Sequence, residues 1–133
     1  MQKVWGMLRS LAHVIIIWNR PHPEVVAATD GRRIWIDPSL TAVEQHCFLA
    51  HEAIHIQHGH TSCQTPAVER QVRLEVARFL ISFEDLQTVA GWSRCPTIMA
   101  EELNVTEQVL LDRLVTLDGQ QIQTLWPPGE HIA

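Results

Sequence analysis

Two histidines and a glutamate fall within five residues, His51-Glu52-Ala53-Ile54-His55. On a helix, residues four apart sit about 40° from each other around the axis, so both imidazoles project from one face. Two ring nitrogens on one face can share a divalent metal ion, with Glu52 beside the open coordination position. Such an ion brings its bound water toward ionisation near neutral pH, and a carboxylate within reach can accept the proton. The chemistry offered is metal-assisted hydrolysis, with His51 and His55 as ligands and Glu52 as general base. The bland alternative is a core helix that happens to carry histidines. Packing alone, however, gives no reason for a charged side chain between them.

The flanking residues predict that this stretch is helical. Thr41-Ala42-Val43-Glu44 reads as a capping box, with Thr at the N-cap and Glu at the third helical position. Asp37-Pro38 ends an extended segment just before it, and Gly59 supplies a C-terminal stop. Between these lie Val43, Cys47, Phe48, Leu49, Ala50, Ile54 and Ile56, enough apolar side chains for a buried helix.

A chain of 133 residues fits one domain with a single core. Apolar content of 46% against 19% charged residues places it with ordinary globular proteins. The formal charge of −5 and pI near 5.8 disfavour a broad nucleic-acid surface. Three cysteines, odd in number and without a C-x-x-C, suit a reducing cytoplasm better than a disulfide framework. Cys47, one turn before His51, reads as a small buried apolar residue. The stretch Met1–Trp18 has the basic-then-apolar order of a targeting signal. His13 interrupts its apolar run, which is too short to span a bilayer, so a core strand is expected instead.

Around the metal helix the pattern predicts a short helix over 3–11 and a buried, β-branched strand over Val14–Trp18. Val25–Ala28 and Ile34–Ile36 flank an Asp30-Gly31 turn and read as a hairpin. A second long helix is expected from Ala67 to Phe83, with Val72, Val76, Phe79, Leu80 and Phe83 as its buried stripe. Helical stretches near 85–91, 97–103 and 106–117 follow, and Trp126-Pro127-Pro128-Gly129 reads as a tail. The expected fold class is α+β: a small antiparallel sheet packed on the metal helix and a second ligand-bearing helix, with a short helical C-terminal region. Residues 1–95 form the expected catalytic core and 96–133 an extension of the same domain.

A hydrolytic metal centre takes a third protein ligand and leaves the fourth position for water. The second long helix offers Glu69 and Glu75. At 100° per residue, Glu69 falls about 40° from the centre of the apolar stripe and Glu75 about 80° away on the other side. Glu69 is better aimed at the metal helix, although a carboxylate in a first turn also serves the helix dipole. Glu75, flanked by Arg73 and Arg78, reads as a solvated charge. His58 shares the His51/His55 face and reads as a substrate contact or a cap of the helix end; His46 and His60 read as surface or capping residues.

The assembled residues resemble the ImmA/IrrE family of metallopeptidases, found in phages and other mobile elements. The resemblance runs from about Ile34 to Leu117. It is carried by Ile34-Trp35-Ile36-Asp37 leading to Leu40; by Glu44, Cys47, Leu49-Ala50-His51-Glu52, His55 and Gly59-His60; and by Glu69 with Val72, Val76-Ala77, Leu80-Ile81 and Glu84-Asp85-Leu86. Ala53-Ile54 replaces the usual Leu-Gly inside the motif, and Ser82 stands where Pro is common. The resemblance lays Glu69 on the ligand position. It implies a zinc-dependent endopeptidase (manganese being the alternative ion) in the cytoplasm of a bacterial host, cleaving a helix-turn-helix repressor encoded nearby. An edge strand near Ile34–Ile36 is expected to pair with the substrate peptide. The oxyanion stabiliser is open among His58, His60 and an arginine, since the chain has no Tyr.

Two other classes compete. Ala100–Glu107 followed by Leu110, Leu111 and Leu114 has the rhythm of a helix-turn-helix, which would make the chain a DNA-binding regulator. Residues 96–133 hold six acids and one base, a balance that phosphate would repel, so no direct nucleic-acid contact is expected. A binding module that keeps the metal only as a staple is the third reading, and it leaves Glu52 without a purpose.

Overall fold

A computed structural model describes residues 2–11 and 13–129 of the chain. The described residues form an α+β fold of seven helices and one small mixed sheet. Helix α1 (Gln2–Ser10) precedes strands β1 (Ile15–Ile17), β2 (Ala27–Thr29) and β3 (Arg33–Ile36). Helices α2 (Ala42–Gln57) and α3 (Pro66–Leu80) pack on each other. Four shorter helices follow: α4 (Phe83–Ala90), α5 (Pro96–Leu103), α6 (Glu107–Val115) and α7 (Gly119–Leu125). Among the described residues no helix is long and apolar enough to cross a membrane.

The strand order is β1-β3-β2, with β3 in the middle. β2 and β3 are the expected antiparallel hairpin, closed by Asp30, whose carboxylate accepts from the backbone N–H of Arg32 and Arg33. Gly31 takes φ +95 there, a conformation that suits glycine. β1, by contrast, runs parallel to β3. An all-antiparallel sheet is therefore incorrect. The loop through Pro21 and Pro23 carries the chain from one side of β3 to the other instead of folding it straight back. Nor is β1 a buried strand: it is an edge strand with Ile15 60% exposed, because among the described residues no strand pairs with its other side. Met1 and Ala12 of the expected targeting-like run, and residues 130–133 at the end of the expected C-terminal region, lie outside the described residues.

Helix α2 starts as its sequence dictates. Thr41 Oγ1 accepts from Glu44 N–H, and the Glu44 carboxylate accepts from Thr41 N–H. It ends at His58 and Gly59, the latter at φ +75. Ile34, Ile36, Leu49 and Ile54 are almost wholly buried where α2 meets the sheet, each contributing about 1.5–3 kcal/mol by leaving water. Ala50 and Ala53 between them have no exposed surface and let the backbones approach closely. This cluster also takes Val72 and Val76 from α3, while a second cluster joins Cys47 and Ala77 to the C-terminal helices.

The expected helix over 67–83 is two helices. Ile81 leaves the helical region at φ −124, ψ 107, because Ser82 caps a new helix by accepting from Asp85 N–H. The carbonyl freed at Ile81 accepts from Arg113 Nε in the interior at 2.8 Å. Trp126 packs on the second cluster instead of trailing in a tail, and α7 before it was not expected at all.

Candidate metal centre

The α2–α3 pair brings the proposed ligands together. His51 and His55 lie one turn apart on α2. Glu69 is in the first turn of α3, which Thr65 caps by accepting from Val68 N–H and which Pro66 opens. His55 Nε2 lies 2.8 Å from Glu69 Oε1 and 3.2 Å from His51 Nε2, and His51 Nε2 lies 3.5 Å from Glu69 Oε1. Donors bound tetrahedrally at about 2.0–2.1 Å from an ion stand roughly 3.3–3.4 Å apart. The three observed separations bracket that spacing, and two nitrogens with one carboxylate oxygen are a donor set suited to a borderline divalent ion. His51, His55 and Glu69 thus form a group that could hold a metal ion. Glu75 takes no part: its carboxylate lies 2.9 Å from His58 Nε2.

The electrostatics suit ligation. Burial, with help from neighbouring His55, pushes the His51 pKa down and favours the neutral ring a metal requires. Burial opposes ionisation of Glu69, but His55 and the backbone N–H of Gln64 outweigh it, so its pKa sits below the ordinary carboxylate value. Glu52 is different. It is buried beside the ligands, and burial, then the charge of Glu69, raise its pKa to about 7.

All four side chains line one cleft of about 400 Å³, walled by β2, α2, the loop after α2, α3 and α6. The edge strand at this cleft is β2. β3, which was expected to present Ile34–Ile36 to a peptide, is paired on both sides. Asp37 N–H donates to Val26 O and Asp30 N–H to Arg33 O, and Ala28 faces Trp35. By antiparallel alternation the N–H and C=O of Ala27 and Thr29 therefore point away from β3, toward the open edge.

The remaining histidines depart from expectation in part. His46 is buried rather than at the surface, and burial lowers its pKa. His58 is the C-cap of α2, and His60 Nδ1 lies 2.9 Å from His55 Nδ1. Cys47 is buried as expected, its thiol pKa pushed up by burial. Sequence reasoning missed Arg73 as a cleft residue, although it lies one turn beyond Glu69 on the same face of α3. It also missed the wall supplied by α6, where Arg73 Nη2 stands 3.4 Å from Asp112 Oδ1. No short-range signal announces that second contact.

Neither family models, nor curated proteins, nor solved structures give a match to this chain.

Proposed function

We propose that this chain is a metal-dependent endopeptidase of the ImmA/IrrE type, acting on a protein substrate. The observation that carries the reading is the convergence of His51, His55 and Glu69 in a cleft that also holds buried Glu52 and runs beside the free edge of β2. Zinc fits this donor set best, with manganese as the alternative, and a bound ion would supply the Lewis acidity that makes water a nucleophile near neutral pH. Glu52 accepts the water's proton on a carboxylate oxygen. Ala27 and Thr29 hold the substrate backbone as an added strand. Arg73 is the arginine of the cleft wall, and its guanidinium is the donor best situated to meet charge developing on a scissile carbonyl.

The substrate reading rests on the resemblance of the motif residues: a helix-turn-helix repressor of a phage or mobile element, in the cytoplasm of a bacterial host. The acidic C-terminal helices suit a basic DNA-binding partner. The same helices argue against the chain being the DNA reader itself. The exposed face of α6 carries Glu107, Gln108, Leu111 and Val115, while Arg113 is buried, so that face has no cation to set against phosphate. Incubating the zinc-loaded protein with the repressor encoded beside it, followed by mass spectrometry of fragments, tests the proposal. Discrete fragments absent from a Glu52→Gln control support it, and an intact repressor under inducing conditions would overturn the choice of substrate.

A further inference from the structure

The turn that ends α2 does more than stop a helix. Gly59 N–H donates to Ile56 O and His60 N–H donates to His55 O, both at 2.9 Å. This is the Schellman pattern, in which a left-handed glycine folds the next residue back over the one five positions earlier. An apolar contact commonly accompanies such a turn. Here the two residues brought together are His55 and His60, whose Nδ1 atoms are 2.9 Å apart and whose ring centroids are 5.2 Å apart. The opposite nitrogen of His55, Nε2, faces Glu69 and His51.

We propose that His60 is a positioning residue of the metal centre, fixing the tautomer and ring orientation of His55. The proposal rests on reading His51, His55 and Glu69 as metal ligands. With Nε2 of His55 on an ion, the ring's single proton belongs on Nδ1, and the acceptor it meets among the described residues is Nδ1 of His60. His60 must then carry its own proton on Nε2. Metal-bound histidines nearly always give their second N–H to an acceptor, commonly a carboxylate or backbone carbonyl. In this chain another imidazole fills that place. His58 extends the arrangement outward: its ring stacks on His60 at 5.6 Å between centroids, and its Nε2 meets the Glu75 carboxylate. The chain of contacts runs from the buried ligand to an exposed carboxylate, and its first link sets the direction of the His55 lone pair.

The test is zinc affinity, measured at neutral pH by competition with a chromophoric chelator, with circular dichroism to compare folds. His60→Ala is expected to bind zinc about 10- to 100-fold more weakly, the usual scale for losing such a partner. His60→Gln, whose side-chain oxygen can accept the same hydrogen bond, is expected to recover part of the loss. His58→Ala is expected to stay near wild type. Long-range proton–nitrogen spectra of the zinc-loaded wild type should show His55 protonated at Nδ1 and His60 at Nε2, a readout that needs no variant to fold. Wild-type affinity in His60→Ala, or a proton on Nδ1 of His60, overturns the assignment. A wild-type protein that takes up no zinc removes the metal reading itself, and the role of His60 with it.

Discussion

His55 Nε2 lies 2.8 Å from Glu69 Oε1, a contact that joins α2 to α3 across fourteen positions of sequence. An ion held by these two atoms would gain His51, whose Nε2 lies 3.2 Å from that of His55, as a third donor. It would clasp the two helices at the first turn of α3.

Metal content follows from that geometry. One divalent ion per chain is expected in the wild type, lost in His51→Ala and in Glu69→Gln, and kept in Glu75→Gln, whose carboxylate serves His58. Removing the ion should also lower thermal stability, since a ligand present at 100 times its Kd adds about 2.7 kcal/mol. Elemental analysis of the three variants is the check, and metal lost from Glu75→Gln but kept by Glu69→Gln would refute the ligand set.

Glu52→Gln should keep both fold and metal while losing hydrolysis. The amide nearly matches the carboxylate in shape but cannot accept the water's proton. A fall in kcat of at least ~100-fold is expected, the scale of a lost general base. Normal cleavage by this variant, measured on the same substrate as the wild type, would end the proposed mechanism.

A pair of prolines separates peptide binding from sheet integrity. Ala27 N–H points to the open edge and Ala28 N–H toward β3. Proline is tolerated in an edge strand where the missing N–H faced outward. Ala27→Pro should therefore keep the fold but raise KM for a peptide substrate by about tenfold, the effect of losing one backbone hydrogen bond of ~1 kcal/mol or a little more. Ala28→Pro should lower the melting temperature instead. Identical behaviour of the two would remove β2 as the docking edge.

Acid should weaken the junction that launches α2. Asp37 accepts from Ser39 N–H and Oγ at 2.7 Å each and from Arg20 Nε at 2.6 Å. Those bonds, Ser39's first, hold its pKa below the ordinary 3.8. The folded state thus binds this proton less readily than the unfolded state. The resulting stability is complete above the ordinary value and is lost as pH falls through the lower, folded one. Asp37→Asn should be less stable than wild type at neutral pH, and the gap should close on strong acidification. Urea midpoints at both extremes test this, and a gap that ignores pH would show that ionisation of Asp37 is irrelevant.

What the sequence made legible was local. The capping box of Thr41 and Glu44, the stop at Gly59 and the spacing of His51 and His55 are each decided within one or two helical turns, and each stands in the structure. Helical phase sufficed to prefer Glu69 over Glu75, because a helix turns by a fixed angle per residue. The parallel pairing of β1 could not be read, since a run of β-branched residues carries no strand direction. The break at Ile81 was hidden by apolar residues that continue through it, although Ser82 was a visible cap. His60 was within reach of the same turn rules that identified Gly59. The α6 wall was not, because Arg73 and Asp112 meet across thirty-nine positions.

All three candidate ligands belong to two consecutive helices, His51 to Glu69, whereas other walls of the cleft come from β2 and α6 on either side of them in sequence. The candidate ligand group and the cleft therefore depend on different lengths of chain. The group needs only two neighbouring helices, whereas the cleft needs a strand before them and a helix well after them. Truncation beyond α3 would strip a wall from the cleft and leave every candidate ligand in the chain.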